Sequence, residues 1–141
     1  MKRERLLKHL VFMMFFIFTA DIMAQKFYWY YSIWWFDMPM HFLGGFWVGL
    51  FFFWFFSTKY LPIFQLSLEK IDFKLTWKIL LFVLFLGISW EIFEIYVNNY
   101  IGKTPFNLLD TISDIFFDLA GGSFALFYVF RRSIPTEKIT V

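Results

Sequence analysis

Four long apolar stretches limit what this chain can fold into. They extend from Leu6 to Ala24, from Met40 to Ser57, from Trp77 to Val97 and from Leu108 to Phe130. A helix of about 20 residues crosses the roughly 30 Å of hydrocarbon in a bilayer. At that depth only helices and closed barrels satisfy every backbone group, and these stretches are too long and too uniformly apolar for barrel strands.

Composition supports a membrane location for the whole chain. Of its 141 residues, 60% are hydrophobic and 24 are Phe, which is too apolar for a soluble domain of this size. The sequence therefore predicts an all-α integral membrane protein, a compact bundle of four transmembrane helices in a single domain over residues 1–141. We expect a multi-pass protein of the cell membrane, in contact with the lipid bilayer and with no nucleic-acid partner. The chain has no Cys, so any metal site has to use oxygen and His ligands.

The first stretch has a second interpretation. "KRERLLKH" is a basic segment, and "IMA" before Gln25 resembles a cleavage site, as in a secretory signal peptide. Cleavage would leave three spans with unchanged sidedness.

Basic residues predict the orientation of the bundle. Eleven of the 13 Lys and Arg residues lie in the N-terminal segment, in the connection after the second stretch or in the C-terminal tail. The other two connections carry only Lys26 and Lys103. By the positive-inside rule, both termini and the middle connection are cytoplasmic.

The connections between the stretches differ in character. "FYWYYSIWWF" (27–36) is almost entirely aromatic, and Trp and Tyr concentrate at the membrane–water interface, so we expect an interfacial segment on the outer face. On the cytoplasmic side, "FQLSLEKIDFKLTW" (64–77) alternates apolar and polar residues, which favours a short hairpin or an extended strand.

Acidic residues collect in the outer half of the predicted bundle. Seven of the 11 Asp and Glu residues lie there, namely Asp21, Asp37, Glu91, Glu94, Asp110, Asp114 and Asp118. Helical spacings of three and four residues align Asp37 with His41 and Glu91 with Glu94. The three Asp residues of the fourth stretch drift only about 40° per step. Because an intramembrane charge facing lipid costs about 2.5 to 3.5 kcal/mol or more, we expect the acidic faces of these helices to face each other around one pocket.

The charges of this half do not balance. Its seven acids meet only two Lys residues and His41. Either some carboxyls are protonated, or a cation lies among them. A purely structural set of ion pairs and hydrogen-bonded carboxyls is the simpler alternative, and His41 by itself would fit an interior polar residue.

Glycines indicate where helices approach. Gly44 and Gly45 lie one turn below His41, and Gly121 and Gly122 lie one turn below Asp118, at similar depths. Small residues allow close backbone contact in lipid, so we expect the second and fourth spans to meet there. Gly87 is a further candidate for such a contact.

Three motifs together resemble a known family. "DMPMHFLGG" (37–45), "WEIFE" (90–94) and "DTISDIFFDLAGG" (110–122) are similar to the pattern D-x-x-x-H, W-E-x-x-E and D-T-x-x-D-x-x-x-D/N-x-x-G. That pattern belongs to the VanZ-like superfamily of small bacterial membrane proteins, especially its YjdF-like branch. Relative to the VanZ pattern, Met38 replaces Lys, Glu94 replaces Gln and Asp118 replaces Asn, so this site is more acidic. The resemblance implies a helical fold in the bacterial cytoplasmic membrane, a polar site at these positions and a link to the cell envelope.

The first candidate function is metal-dependent chemistry on a phosphorylated lipid or cell-envelope precursor, by a hydrolase or a transferase. Carboxylates with one His suit Mg²⁺, Mn²⁺ or Ca²⁺, and Zn²⁺ if His41 is a ligand. The candidate metal ligands are Glu91, Glu94, Asp110, Asp114 and Asp118. His41, oriented by Asp37, is the candidate general acid or base, and Glu91 is a further candidate catalytic group.

Two other functions remain open at this point. Protonation of the same carboxylates would suit a proton-coupled carrier or flippase. The chain is short for alternating access and lacks an internal repeat, so a carrier would need a homo-oligomer. A non-enzymatic membrane subunit or sensor would use the polar site to dock a partner helix.

The predicted orientation is testable by cysteine labelling, because the chain has no native Cys. In intact cells, a membrane-impermeant maleimide should label Lys103→Cys and should spare Lys70→Cys until the membrane is opened. Labelling of Lys70→Cys from outside the cell would contradict the orientation.

Overall fold

The computed structural model describes residues 3–56, 73–102 and 106–133, and these ranges are almost wholly helical and contain no strand. The helices are α1 (Arg3–Lys26), α2 (Trp29–Ser32), α3 (Asp37–Phe56), α4 (Phe73–Val97) and α5 (Leu108–Ser133), and a π-helical turn (Asn98–Gly102) extends α4. All but α2 are long and apolar enough to cross a membrane. The predicted all-α fold with four transmembrane helices is therefore confirmed.

The start of α4 corrects one prediction. Residues 73–77, expected to be part of a hairpin or strand, form the first turns of α4, and residues 64–72 of that prediction lie outside the described residues. The helical period prevails because Leu75, Ile79 and Val83, spaced four apart, are all buried. Alternation over so few residues is compatible with a strand or with a helix. The four-residue spacing of the buried side chains, which continues over a longer segment, identifies the helix.

Helix α3 lies at the centre of the bundle and contacts α1, α4 and α5, and α5 also packs against α4. The chain runs alternately up and down through these four helices. One end of the bundle, here called the site end, is where α1 and α4 finish and α3 and α5 begin.

The apolar core fills the half of the bundle away from the site end. One cluster joins α1, α3 and α5 through Leu6, Leu10, Leu50, Ala125 and Val129. A second joins α3, α4 and α5 through Phe56, Leu75, Ile79, Val83 and Leu126. Helix α1 is further tied to α3 by the Trp47 indole N–H, which donates to the carbonyl of Leu10 at 2.8 Å.

Helices α3 and α5 are in backbone contact at glycines. A Cβ at Gly45 would overlap the backbone oxygen of Asp118, and a Cβ at Gly121 would overlap the backbone oxygen of Phe42. One turn further on, a Cβ at Gly49 would lie 2.9 Å from that of Ala125. The predicted close approach of the second and fourth spans is confirmed, and it sets the separation of the two helices that carry His41, Asp114 and Asp118.

Two neighbouring glycines provide a matched test of this contact. Gly45→Ala should force α3 and α5 apart and should destabilise the protein by about 1 to 3 kcal/mol or more, the usual cost of overpacking. Gly44→Ala should melt close to wild type, because its Cβ would meet only a carboxylate oxygen of Asp118 at 4.0 Å. Thermal unfolding in detergent, followed by circular dichroism, measures both, and equal melting temperatures for the two variants would contradict the proposed contact.

Candidate functional site

Among the described residues, the buried polar and charged side chains all come from the site end. They are His41 on α3, Glu91 on α4, and Asp114 and Asp118 on α5. Each is at most 8% exposed. Burial of ionisable groups among apolar helices is costly, so their convergence requires a compensating interaction.

His41 is the centre of the cluster. Its Nε2 lies 3.6 Å from Oδ1 of Asp37 and 3.9 Å from Oδ1 of Asp114. Its Nδ1 lies 3.5 Å from Oδ1 of Asp118. The two ring nitrogens therefore face different carboxylates, with Asp118 on one side of the ring and Asp37 and Asp114 on the other.

Two overlapping groups of side chains have the dimensions of a cation site. Asp37, His41 and Asp114 form the first, and His41, Glu91 and Glu94 form the second. In each group, one ligand atom per residue lies within 4.8 Å of the others. Oxygen ligands on opposite sides of Ca²⁺ are separated by a similar distance, about twice 2.4 Å. Each group could therefore close around a divalent cation with small side-chain movements.

The sequence-based candidates occupy different positions in this arrangement. Five of them belong to the two groups, whereas Asp118 faces the opposite nitrogen of His41 and Asp110 is exposed. Asp37 is grouped with Asp114 near Nε2 of His41, and Asp118 adjoins Nδ1.

Gly87 on α4 gives Asp118 its position. A Cβ at Gly87 would lie 2.6 Å from Oδ2 of Asp118, so the carboxylate rests directly on the backbone of α4. The sequence indicated Gly87 as a helix-packing residue, and the structure shows that the group it accommodates is a carboxylate.

A small polar pocket of about 40 Å³ lies beside Glu91. Its lining, from the end of α4, the π-helical turn and the start of α5, consists of Glu91, Glu94, Ile95, Asn98, Asn99, Phe106, Asn107, Asp110, Thr111 and Asp114. Asn98 donates to Oε1 of Glu94 at 3.4 Å, whereas Oε1 of Glu91 is buried and has no hydrogen-bond partner among the described residues. The pocket is large enough to hold water, which needs only about 10 to 15 Å³ of such space.

A much larger cleft of about 730 Å³, lined in part by His41, lies between α1 and α4 with α3 as its floor. Its polar lining comprises Asp21, Tyr30, Asp37, His41, Ser89 and Asp118, and the remaining walls are apolar, aromatic or glycine. Among the described residues, no Lys or Arg lines this cleft or the polar pocket.

Comparison with known proteins supports the membrane assignment. A family model described as "Predicted membrane protein (DUF2238)" matches residues 2–134, nearly the whole chain. The chain belongs to the DUF2238 family of membrane proteins. No curated protein and no solved structure matches it.

Asp21 has a structural role at the edge of the cleft. It accepts hydrogen bonds of 2.8 Å from the amide of Gln25 and from the hydroxyl of Tyr30. Tyr30 belongs to α2, in the aromatic segment 27–36, so this pair ties that segment to α1. The sequence did not pair these residues, because contacts across a turn depend on the backbone path between them.

The phenol of Tyr30 should titrate abnormally. Burial raises its pKa, and the hydrogen bond to Asp21 and the charge of Asp21 raise the pKa further. Tyr30 should therefore stay neutral at pH values that ionise an ordinary phenol, whose pKa is about 10. Asp21→Asn should lower the pKa of Tyr30. Because the folded-state pKa is raised, the pair stabilises the fold fully below about pH 10, and this contribution weakens at higher pH.

Tyrosinate absorbance during a pH titration measures this difference. Tyr30→Phe should remove the late part of the titration, and Asp21→Asn should move that part to lower pH. A late part that survives in Tyr30→Phe, or that does not move in Asp21→Asn, would show that Tyr30 is not held by Asp21.

Proposed function

We propose that this protein is a membrane enzyme that uses a divalent cation to act on a phosphorylated lipid or envelope precursor. The observation that carries the proposal is the pair of cation-sized ligand groups that share His41. The carboxylates that line both cavities support it, because they would repel a phosphate without a bound cation, and no Lys or Arg among the described residues lines either cavity.

The arrangement around His41 favours a ligand role for Nε2. Metal-bound His residues usually donate their other ring N–H to a carboxylate, which fixes the tautomer and the ring orientation. Asp118 is in that position at Nδ1, and Asp37 and Asp114 lie near Nε2. We therefore assign Asp37, His41 and Asp114 as ligands and Asp118 as the residue that orients His41. An N and O ligand set of this kind suits Mn²⁺ or Zn²⁺ as well as Mg²⁺ or Ca²⁺.

Glu91 is the best-placed general base in this proposal. Its Oε1 is buried without a partner, and the side chain lines the polar pocket, where water can reside. Glu91 would accept a proton from the attacking water or hydroxyl as the new oxygen–phosphorus bond forms. The leaving oxygen would take the electron pair of the broken bond, and a bound cation would supply stabilisation of that charge.

The family resemblance gives a setting for this chemistry. The three motifs that resemble the VanZ-like superfamily, and its YjdF-like branch, contain every assigned ligand, the proposed base and Asp118. With the basic residues on the cytoplasmic side, the site would open toward the outer face of a bacterial cytoplasmic membrane. That location supports a lipid or envelope precursor as the substrate.

A proton-coupled carrier is the second candidate. The specific observation in its favour is that the His41 cluster adjoins two cavities, since His41 and Asp118 line the cleft and Asp114 lines the polar pocket. Proton exchange between His41 and its carboxylate neighbours would then link the two cavities.

Metal content distinguishes these candidates. Protein purified without chelator should contain about one divalent ion per chain, and one of Mg²⁺, Mn²⁺, Ca²⁺ or Zn²⁺ should raise its melting temperature. Asp114→Asn and His41→Gln should weaken binding strongly, and Asp118→Ala should weaken it by about 10- to 100-fold through loss of the orienting carboxylate. Asp110→Asn should bind like wild type, because Asp110 is exposed and lies outside both ligand groups.

Elemental analysis and calorimetric titration provide the measurements. If wild-type protein holds no stoichiometric metal and none of the four ions stabilises it, the enzyme proposal is wrong and the carrier is favoured. Equal loss of binding in Asp110→Asn and Asp114→Asn would instead refute the assigned ligand set.

A further inference from the structure

The cleft between α1 and α4 has the length of one membrane leaflet. Along α3 it extends from Asp37 to Val48, which at 1.5 Å per residue is about 16 Å. Half of the hydrocarbon thickness of a bilayer is about 15 Å. A cleft that begins at the site end of the bundle therefore finishes near the middle of the membrane.

The lining of the cleft is polar at the site end and apolar at the deep end, as a lipid is polar at its headgroup and apolar along its chains. Asp21, Tyr30, Asp37 and His41 lie toward the site end. The deep end is lined by apolar side chains, including Met14, Val48, Val83 and Leu86. A molecule that fills the cleft must accordingly have a polar end near His41 and an apolar end at mid-membrane.

The cleft is open on its lipid-facing side. Phe18, Trp90 and Phe93 line it and are all more than half exposed. In a transmembrane bundle the surface exposed at this depth faces hydrocarbon. A lipid chain can enter sideways from the bilayer, whereas a water-soluble molecule has no comparable route through this opening.

Gly44 leaves space in the cleft that helix packing does not require. Its neighbour Gly45 lies against the α5 backbone, but a Cβ at Gly44 would have nothing closer than Oδ1 of Asp118 at 4.0 Å. A larger residue would therefore fit the fold and would reduce the cleft. Contact between helices therefore does not account for the glycine at this position.

The cleft has a volume of about 730 Å³. That volume is within the range of about 300 to 1,000 Å³ that is usual for small-molecule sites.

We propose that this cleft binds the hydrocarbon chain of a phosphorylated lipid from the leaflet at the site end, with the phosphate directed toward His41. The phosphate position rests on the proposed function, whereas the position of the chain rests on the cleft alone. The substrate would then be a membrane lipid that enters laterally, and a soluble envelope precursor would be excluded.

A photoreactive lipid tests the chain position. The protein is reconstituted in phosphatidylcholine vesicles that contain a small fraction of phosphatidic acid with a diazirine in mid-chain, then illuminated and mapped by mass spectrometry. Labelling should occur at cleft residues such as Met14 and Val48. Phe12 and Phe16, on the opposite face of α1 and exposed by 71% and 54%, report ordinary lipid contact within the same sample.

Two variants that fill part of the cleft should decrease the photolabelling of cleft residues. Gly44→Leu and Leu86→Trp should each lower labelling of the cleft by about tenfold or more, since a packed site tolerates added volume poorly. Labelling at Phe12 and Phe16 should not change. Ser123→Leu, at an exposed position on α5 that does not line the cleft, is the matched control and should label like wild type.

Further arms separate the two proposals. Cleft labelling by the phosphatidic acid probe should exceed that by a phosphatidylcholine probe, EDTA should remove the excess, and added inorganic phosphate should not compete. If both probes label the cleft equally, with and without EDTA, the hydrocarbon-chain site is supported and the proposal that a cation binds the phosphate is refuted. Labelling of cleft residues that is no stronger than labelling of Phe12, or that Gly44→Leu does not change, would overturn the chain site. Shielding of the cleft by a second copy of the chain would also overturn it.

Discussion

The backbone contact between α3 and α5 determines where the functional groups of this protein lie. Gly45 and Gly121 allow the two helices to approach until a Cβ on either would overlap the other backbone. His41 precedes Gly45 by one turn and Asp118 precedes Gly121 by three residues, so the same contact brings the imidazole to 3.5 Å from the carboxylate. A wider helix separation would take the Asp118 carboxylate away from His41 in an apolar environment, and loss of a partner by a buried charge costs several kcal/mol.

The bundle divides its length between stability and function. Both apolar clusters lie in the half away from the site end, where large side chains from all four transmembrane helices interlock. In the other half, α1 and α4 separate and leave the cleft, and carboxylates take the place of a packed core. The packed half can hold the helices together, while the site end keeps open space and buried ionisable side chains.

The site was predictable from the sequence as a set, but the positions within it were not. Helical spacing showed that Asp37 and His41 share a face, as do Glu91 and Glu94. It could not show that Asp114 is buried and Asp110 exposed one turn earlier, since both lie on the same stripe. The predicted hairpin over residues 64–77 was wrong at 73–77, because a short alternation cannot be distinguished from the start of a longer helical pattern.

The sequence by itself determined the membrane class, the four spans and the half of the bundle that holds the acidic residues, because length, hydropathy and residue spacing are local properties of a helix. Only the tertiary structure decided which nitrogen of His41 faces which carboxylate, that Gly87 supports Asp118, and that a leaflet-long cleft opens beside them. These features depend on the distances and rotations between helices. Those are set by close packing of side chains from distant parts of the chain, and no single segment encodes them.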